Sequence, residues 1–316
     1  MPITKGFYKE LQKAGAMAQY DAQCKRILSH KIILVRILKH VIKEFAGMRA
    51  EEIVECIESQ PEISESTVMS DEMERKISGL SNEDKIPGEG SIRYDIRFYT
   101  HIPAKEGRIR MIMNLEAQKS FYPGYEIVTR GIFYGARMIS SQMGVEFMDS
   151  HYDDVRKVYS IWICMNAPLY IGNAVSEYSM GKRDISGHLP DRPKAYDKLT
   201  VVLVALNQRA KQGGCLTQML NVIFSEEMMF QEKKKILQTQ YHIFMDNELQ
   251  EEVNTMCNLS EYVLERGIEQ GTQIEKRETV ARMMQEGLPF DMILRLTRIT
   301  PEQFEEYRRA LPSVTA

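Results

Sequence analysis

The sequence predicts an α/β fold, with a central sheet flanked by helices, followed by an α-helical C-terminal region. Two alternating runs, Ser91 to His101 and Ile109 to Gln118, read as an antiparallel hairpin. Two near-continuous apolar runs, "KVYSIWICM" (157 to 165) and "KLTVVLVAL", read as strands covered on both faces. From about Gly214 the strand signals give way to Glu, Gln, Lys, Met and Leu, the composition of helices. We therefore divide the chain into 1–210 and 211–316.

The elements follow in order. From Ile32 to Phe45 apolar residues cover most of a helical wheel while Arg36, His40 and Lys43 share one stripe, the pattern of a well-buried helix. A more polar helix, "AEEIVECIES", stops at Pro61. Glu62 to Gly90 is polar and contains "SNEDKIPGEGS", which predicts a loop at the lip of a site. In the first hairpin strand Ile92, Tyr94, Ile96 and Phe98 alternate with Arg93, Asp95, Arg97 and Tyr99. "IPAKEGR" makes the turn, and Met111, Met113, Leu115 and Ala117 then alternate with Arg110, Ile112, Asn114, Glu116 and Gln118. After the break at "YPG", Tyr125 to Gln142 reads as a helix with Arg130, Tyr134, Arg137 and Ser141 on one face. In the tail, Gly267 and Gly271 form a GxxxG spacing that permits close helix contact, and Thr300, Pro301 and Gln303 supply an N-cap, N1 and N3 for a last helix.

The 316 residues are 43% hydrophobic and 27% charged, which supports a substantial core. A formal net charge of -3 advertises neither a nucleic-acid nor a membrane partner, so any polyanion site is a local patch. Five well-separated cysteines lack metal spacing and read as reduced thiols. The start lacks the basic and apolar regions of a signal peptide and the apolar runs are too short to span a bilayer, so the expected location is cytoplasmic. Walker and Rossmann glycine sets are missing, and His151 and His188 have no Ser or Cys at elbow spacing to serve.

The stretch "NLEAQKSFYPGY" raises the chemical question, because a core strand ends in Glu116-Ala117-Gln118-Lys119. Strand parity puts Asp95, Glu116 and Gln118 on corresponding faces of the hairpin. Adjacent carboxylates repel unless a cation sits between them, and hard oxygens with open coordination suit Mg²⁺. The residues alone equally allow a solvated charged face around Asp95, Arg93 and Arg97, and an ordinary exposed strand end at Glu116 and Lys119.

The order helix, loop, Asp95, Glu116-Ala117-Gln118, helix and buried strand resembles the PD-(D/E)XK nuclease superfamily. "YDIRFY", "NLEAQKSFYPGYEIVTRGIFYGARMIS" and "YSIWICMNAP" look like its recombination-promoting nuclease and putative transposase family, over about residues 25 to 210. The resemblance implies a restriction-endonuclease-like core in 1–210 and a metal-dependent DNA endonuclease serving recombination or transposition. It implies Mg²⁺, with Mn²⁺ as a substitute, held by Asp95, Glu116 and the Ala117 carbonyl, with Glu44 as a further acid on a metal-bound water. Arg130, Tyr134 and Arg137 would meet DNA phosphates. Gln118 stands where the superfamily usually has Lys, so it would orient water by hydrogen bonding and leave activation to the metal. Parity sends Lys119 to the opposite face. The alternative is a catalytically inactive nuclease-derived DNA-binding or scaffold protein. The last helix opens with acids, Glu302, Glu305 and Glu306, which favours association of the helical region as a homodimer over DNA reading.

Overall fold

The computed structural model describes residues 19–58, 83–86, 90–104, 107–297 and 299–310, and the chain divides into two compact units, Met1–Cys257 and Asn258–Ala316. In the first unit, helices α1 (19–29), α2 (Lys31–Val41) and α3 (Ala50–Cys56) precede the strands. A short antiparallel pair, β1 (Glu83–Ile86) with β2 (Gly90–Arg93), stands apart from the main sheet. The main sheet comprises β3 (Ile96–Ala104), β4 (Gly107–Gln118), β5 (Lys157–Cys164), β6 (Ala174–Ser179) and β7 (Leu199–Ala205), in the order β3-β4-β5-β7-β6. The expected α/β class is present: β4, β5 and β7 run parallel, and the antiparallel β3 and β6 form the edges. Helix α4 (Ile127–Ser140) is the crossover from β4 to its parallel neighbour β5.

Alternation along the strands makes two cores. Met113, Leu115, Tyr159 and Ile161 face one way, into a large core shared with α1, α2, α6 (Cys215–Ile223) and α7 (Phe230–Tyr241). Ile112, Val158, Trp162 and Val201 face the other way, against α4. The central strand β5 is apolar on both faces because both are covered. Helix α4 lies close on the sheet at Gly131, where an added Cβ would come within 2.6 Å of Val201 Cγ1 and 3.0 Å of Trp162 Nε1. The absence of a side chain there lets the helix bring Arg130 and Tyr134 down onto Trp162.

Several expectations are corrected. The first hairpin strand does not run unbroken from Ser91 to His101: the backbone bends at Tyr94 and Asp95, between β2 and β3. Tyr94 consequently joins Tyr99 in the α4-side core, while Ile96 and Phe98 enter the other. The expected long turn is tighter, since pairing continues to Ala104↔Gly107. The expected loop 62–90 falls largely outside the described residues, but Glu83–Ile86 within it is strand. Edge strand β6 carried little sequence signal because its side chains are mostly exposed and its pairing comes from β7.

The first unit also runs past residue 210 to Cys257, because α6 and α7 bury Leu220, Ile223 and Leu237 in the large core. Helix α8 (Asn247–Gln285) begins in this unit, and the rest of it belongs to the second with α9 (Phe290–Thr297) and α10 (Pro301–Ala310). The side chains around Gly267 and Gly271 lie outside the described residues. Gly287, at φ +73°, ends α8 with a Schellman pattern: its N–H donates to Met284 O and that of Leu288 to Met283 O, both at 3.1 Å. The expected capping box opens α10. Gln303 N–H donates to Thr300 Oγ1 at 3.3 Å, and Thr300 N–H to Gln303 Oε1 at 3.0 Å. Val280, Ile293, Ile299 and Phe304 form this unit's own small core.

Candidate functional site

The antiparallel register pairs Ile96 with Leu115, so the bend at Asp95 falls beside Glu116 at the end of β4. The two residues are laced together. Asp95 N–H donates to Glu116 Oε1 at 3.1 Å, and Ala117 N–H donates to Asp95 Oδ2 at 3.0 Å. These bonds replace ladder bonds at this point, which is why the strand alternation breaks here. Glu116 is only 4% exposed. Burial, with the neighbouring Asp95 charge added, pushes its carboxyl up to about 8, against the Asp95 N–H, the Asn114 amide and the Arg130 charge. Asn114, fully buried on the same strand face, makes no hydrogen bond of normal geometry through either amide atom.

Among the described residues, Lys25 and Arg130 bring positive charge to the acids. Lys25 of α1 places Nζ 2.8 Å from Asp95 Oδ1 and 2.7 Å from Asp21 Oδ2. Burial opposes its charge, yet the bonds to Asp21 and Asp95 hold the ammonium above its ordinary range. Arg130 of α4 donates to the hydroxyls of Tyr125 and Tyr134 and lies over the Trp162 ring, 5.3 Å from its centroid. Its charge acts on Glu116 from there.

The structure thus brings together Asp95, Glu116, Ala117 and Arg130. Gln118 is on the same strand face, with its side-chain amide donating to Ser120 O at 3.0 Å. Tyr134 is buried, its hydroxyl taken by Arg130, so it supports that guanidinium from beneath. Arg137 is 5% exposed, too deep under α4 to meet a phosphate as expected. Glu44 is not gathered with the pair. It accepts from Lys157 Nζ at 3.0 Å and from the Tyr159 hydroxyl, and Tyr159 belongs to the core on the opposite sheet face from Glu116. Lys119 follows parity: its Nζ sits 4.1 Å from the Tyr20 ring centroid and 3.9 Å from Glu226, away from Glu116.

No family model, curated protein or solved structure matches the chain. The functional reading rests on the site's own chemistry.

A divalent cation fits that chemistry. Two hard carboxylates are held side by side, one in a buried position that favours its neutral form, and a shared cation would relieve both the repulsion and the desolvation. Among the described residues no group of three or more His, Cys, Asp or Glu is placed to hold a metal ion. Sequence reasoning missed Lys25, whose only local sign is its i,i+4 spacing from Asp21, and Gly131, which reads like any helix glycine until Trp162 lies beneath it.

Proposed function

We propose that the chain is a metal-dependent DNA endonuclease of the PD-(D/E)XK type, acting in DNA recombination or transposition. The observation that carries this reading is the placing of Asp95 beside buried Glu116, with Asp95 N–H on the Glu116 carboxyl and Ala117 N–H on the Asp95 carboxylate, which spends a strand break on holding two acids together. Stability alone would favour an apolar pair at such a place. In the reaction, water adds in line to phosphorus as one P–O ester bond breaks, and the leaving oxygen takes up a proton. Asp95, Glu116 and the Ala117 carbonyl would hold Mg²⁺, which when bound would supply Lewis-acid stabilisation of the phosphoryl charge and a lowered water pKa. Gln118, freed from Ser120, orients the attacking water through its amide. Arg130 and Lys25 place positive charge where the phosphate's charge develops. The expected test result is nicking of supercoiled plasmid only with Mg²⁺ or Mn²⁺, lost in Asp95→Asn and Glu116→Gln.

A second reading is favoured by Lys25, whose ammonium already neutralises Asp95. In this reading the chain is a nuclease-derived DNA-binding or scaffold protein, with the lysine taking the place of the metal. Wild-type protein from a nuclease-deficient host that cuts nothing with either cation would decide for it. In both readings the helical C-terminal region associates two copies, supported by exposed Phe290, Met292 and Leu296 on α9. Sedimentation of the full chain at rising concentration checks this.

A further inference from the structure

The loops that leave β4 and β5 meet beside the acids. Met165 N–H donates to Gln118 O at 2.8 Å, and the Asn166 amide donates to Lys119 O at 3.4 Å, with Asn166 in the left-handed region at φ +55°. Between the loops lies an open groove of about 380 Å³ lined by Lys119, Ser120, Phe121, Tyr122 and Asn166. Tyr122 and Tyr170 stand on its rim, 60% and 79% exposed, their hydroxyls hydrogen-bonded to each other across the two loops. Phe121 packs edge-on against Tyr122 at 5.1 Å between centroids and anchors it to the α4-side core.

Neither tyrosine fills a core, and each leaves a flat aromatic face in water. Resting on the nuclease reading, we propose that this rim is a stacking platform for an unpaired nucleobase, and that the strand presented to Asp95 and Glu116 is single-stranded or locally unpaired. Three features favour a base over an aliphatic protein side chain. The hydroxyl-tethered tyrosines offer faces rather than a deep apolar pocket. The groove wall, largely apolar, carries Ser120 and Asn166 as polar edges that a base could bond to. The platform also follows directly on the strand that carries Glu116, so a stacked base would bring its own phosphate toward the acids. Bases in a duplex hide their faces in the stack, whereas every unpaired base exposes one.

The test is binding without cleavage. The full chain is titrated in EDTA against a fluorescently labelled oligothymidylate of about twenty nucleotides, and against a duplex of equal length, by anisotropy. The wild type is expected to prefer the single strand. Tyr122→Ala and Tyr170→Ala should each weaken single-strand binding roughly 5- to 100-fold. Tyr122→Phe and Tyr170→Phe, which keep the ring, should stay near wild type, and duplex binding should change little. Both tyrosines are exposed, so matching melting curves can confirm that the variants fold. Unchanged affinity in both alanine variants, equal loss in the phenylalanine variants, or a wild type that binds no single strand would each overturn the platform, the first leaving a protein as its occupant. A chain that cuts duplex plasmid with unaltered rim variants keeps the nuclease and loses the platform. One that never cuts but shows the alanine losses keeps the platform and loses the nuclease.

Discussion

Two buried glutamates, Glu252 and Glu116, belong to opposite sides of the main sheet and are treated in opposite ways. Glu252, in α8 on the side of the large core, receives His30 Nε2 at 2.7 Å, and its backbone carbonyl accepts from the buried Gln23 amide at 3.0 Å. Glu116, against the α4-side core, is set beside another carboxylate, and among the described residues no cation is bonded to it. The first arrangement satisfies a buried acid and ties α8 to the α1–α2 junction. The second buries an acid beside a like charge, and burial first and that charge second push its carboxyl up to about 8.

The largest expected effect breaks the comparison on activity. Asp95→Asn or Glu116→Gln should lower Mg²⁺-dependent nicking by 10³-fold or more by the scale of lost metal and electrostatic groups. Glu252→Gln should leave nicking per folded molecule unchanged. Plasmid-nicking rates normalised to folded protein measure both, and equal losses at the two glutamates would remove the distinction.

The next effect is on stability, with opposite signs. His30→Ala should destabilise the fold by about 3–5 kcal/mol, the cost of breaking a buried hydrogen-bonded pair from one side. Glu116→Gln should stabilise the metal-free protein. The folded-state pKa of Glu116 is raised, so its protonated form contributes stability at low pH that is lost as pH rises through about 8. Melting curves in EDTA should converge for wild type and variant in acid. Above pH about 8 they should separate by something on the order of 2–4 kcal/mol in the variant's favour. Added Mg²⁺ should raise the melting temperature of the wild type more than that of the variant.

These contrasts also show how far the sequence could be read. The hairpin, the doubly covered β5 and β7, the carboxylates and the α10 capping box follow from local periods and caps, which the chain carries within a few residues. Parity placed Asp95 and Glu116 on matching faces, and the structure supplies the register that sets them side by side. The bend that moves Tyr94 to the other core was not legible, because it arises from bonds between side chains and backbone over twenty residues apart. Lys25, the removal of Glu44 to Lys157 and Tyr159, and the burial of Arg137 depend on which helix lies on which face. No local pattern encodes that. The late end of the first unit was hidden for the same reason: α6 and α7 have ordinary helical composition, and only the sheet face they cover shows which unit they belong to.

Gln118→Ala comes third. Loss of an orienting amide should slow nicking about 10²-fold with metal affinity nearly intact, and Gln118→Lys should be tolerated because the amine lies on the same face. If the wild type is inert and Gln118→Lys cuts, the non-catalytic reading is correct. Gly131→Ala tests the platform on which Arg130 rests. Its new Cβ would crowd Val201 and Trp162, and overpacking of this kind costs about 1–3 kcal/mol, a fall of several degrees in melting temperature.

The smallest expected effect is at Lys119, and it checks which lysine serves the acids. Lys119 lies next to Gln118 in sequence, whereas Lys25 is remote, yet contact reverses that order. Lys25 Nζ is 2.8 Å from Asp95 Oδ1, and Lys119 Nζ is spent on the Tyr20 ring and Glu226. Lys119→Ala should therefore change nicking less than about threefold, the effect of an exposed pair worth under 1 kcal/mol. Lys25→Ala removes a positive charge from the acids and should cost at least tenfold, roughly the 1.4 kcal/mol that one lost charge-assisted bond supplies. Should Lys119→Ala prove the more harmful of the two, the end of β4 turns the other way in solution, and the division between a charged face and a packed face would have to be redrawn.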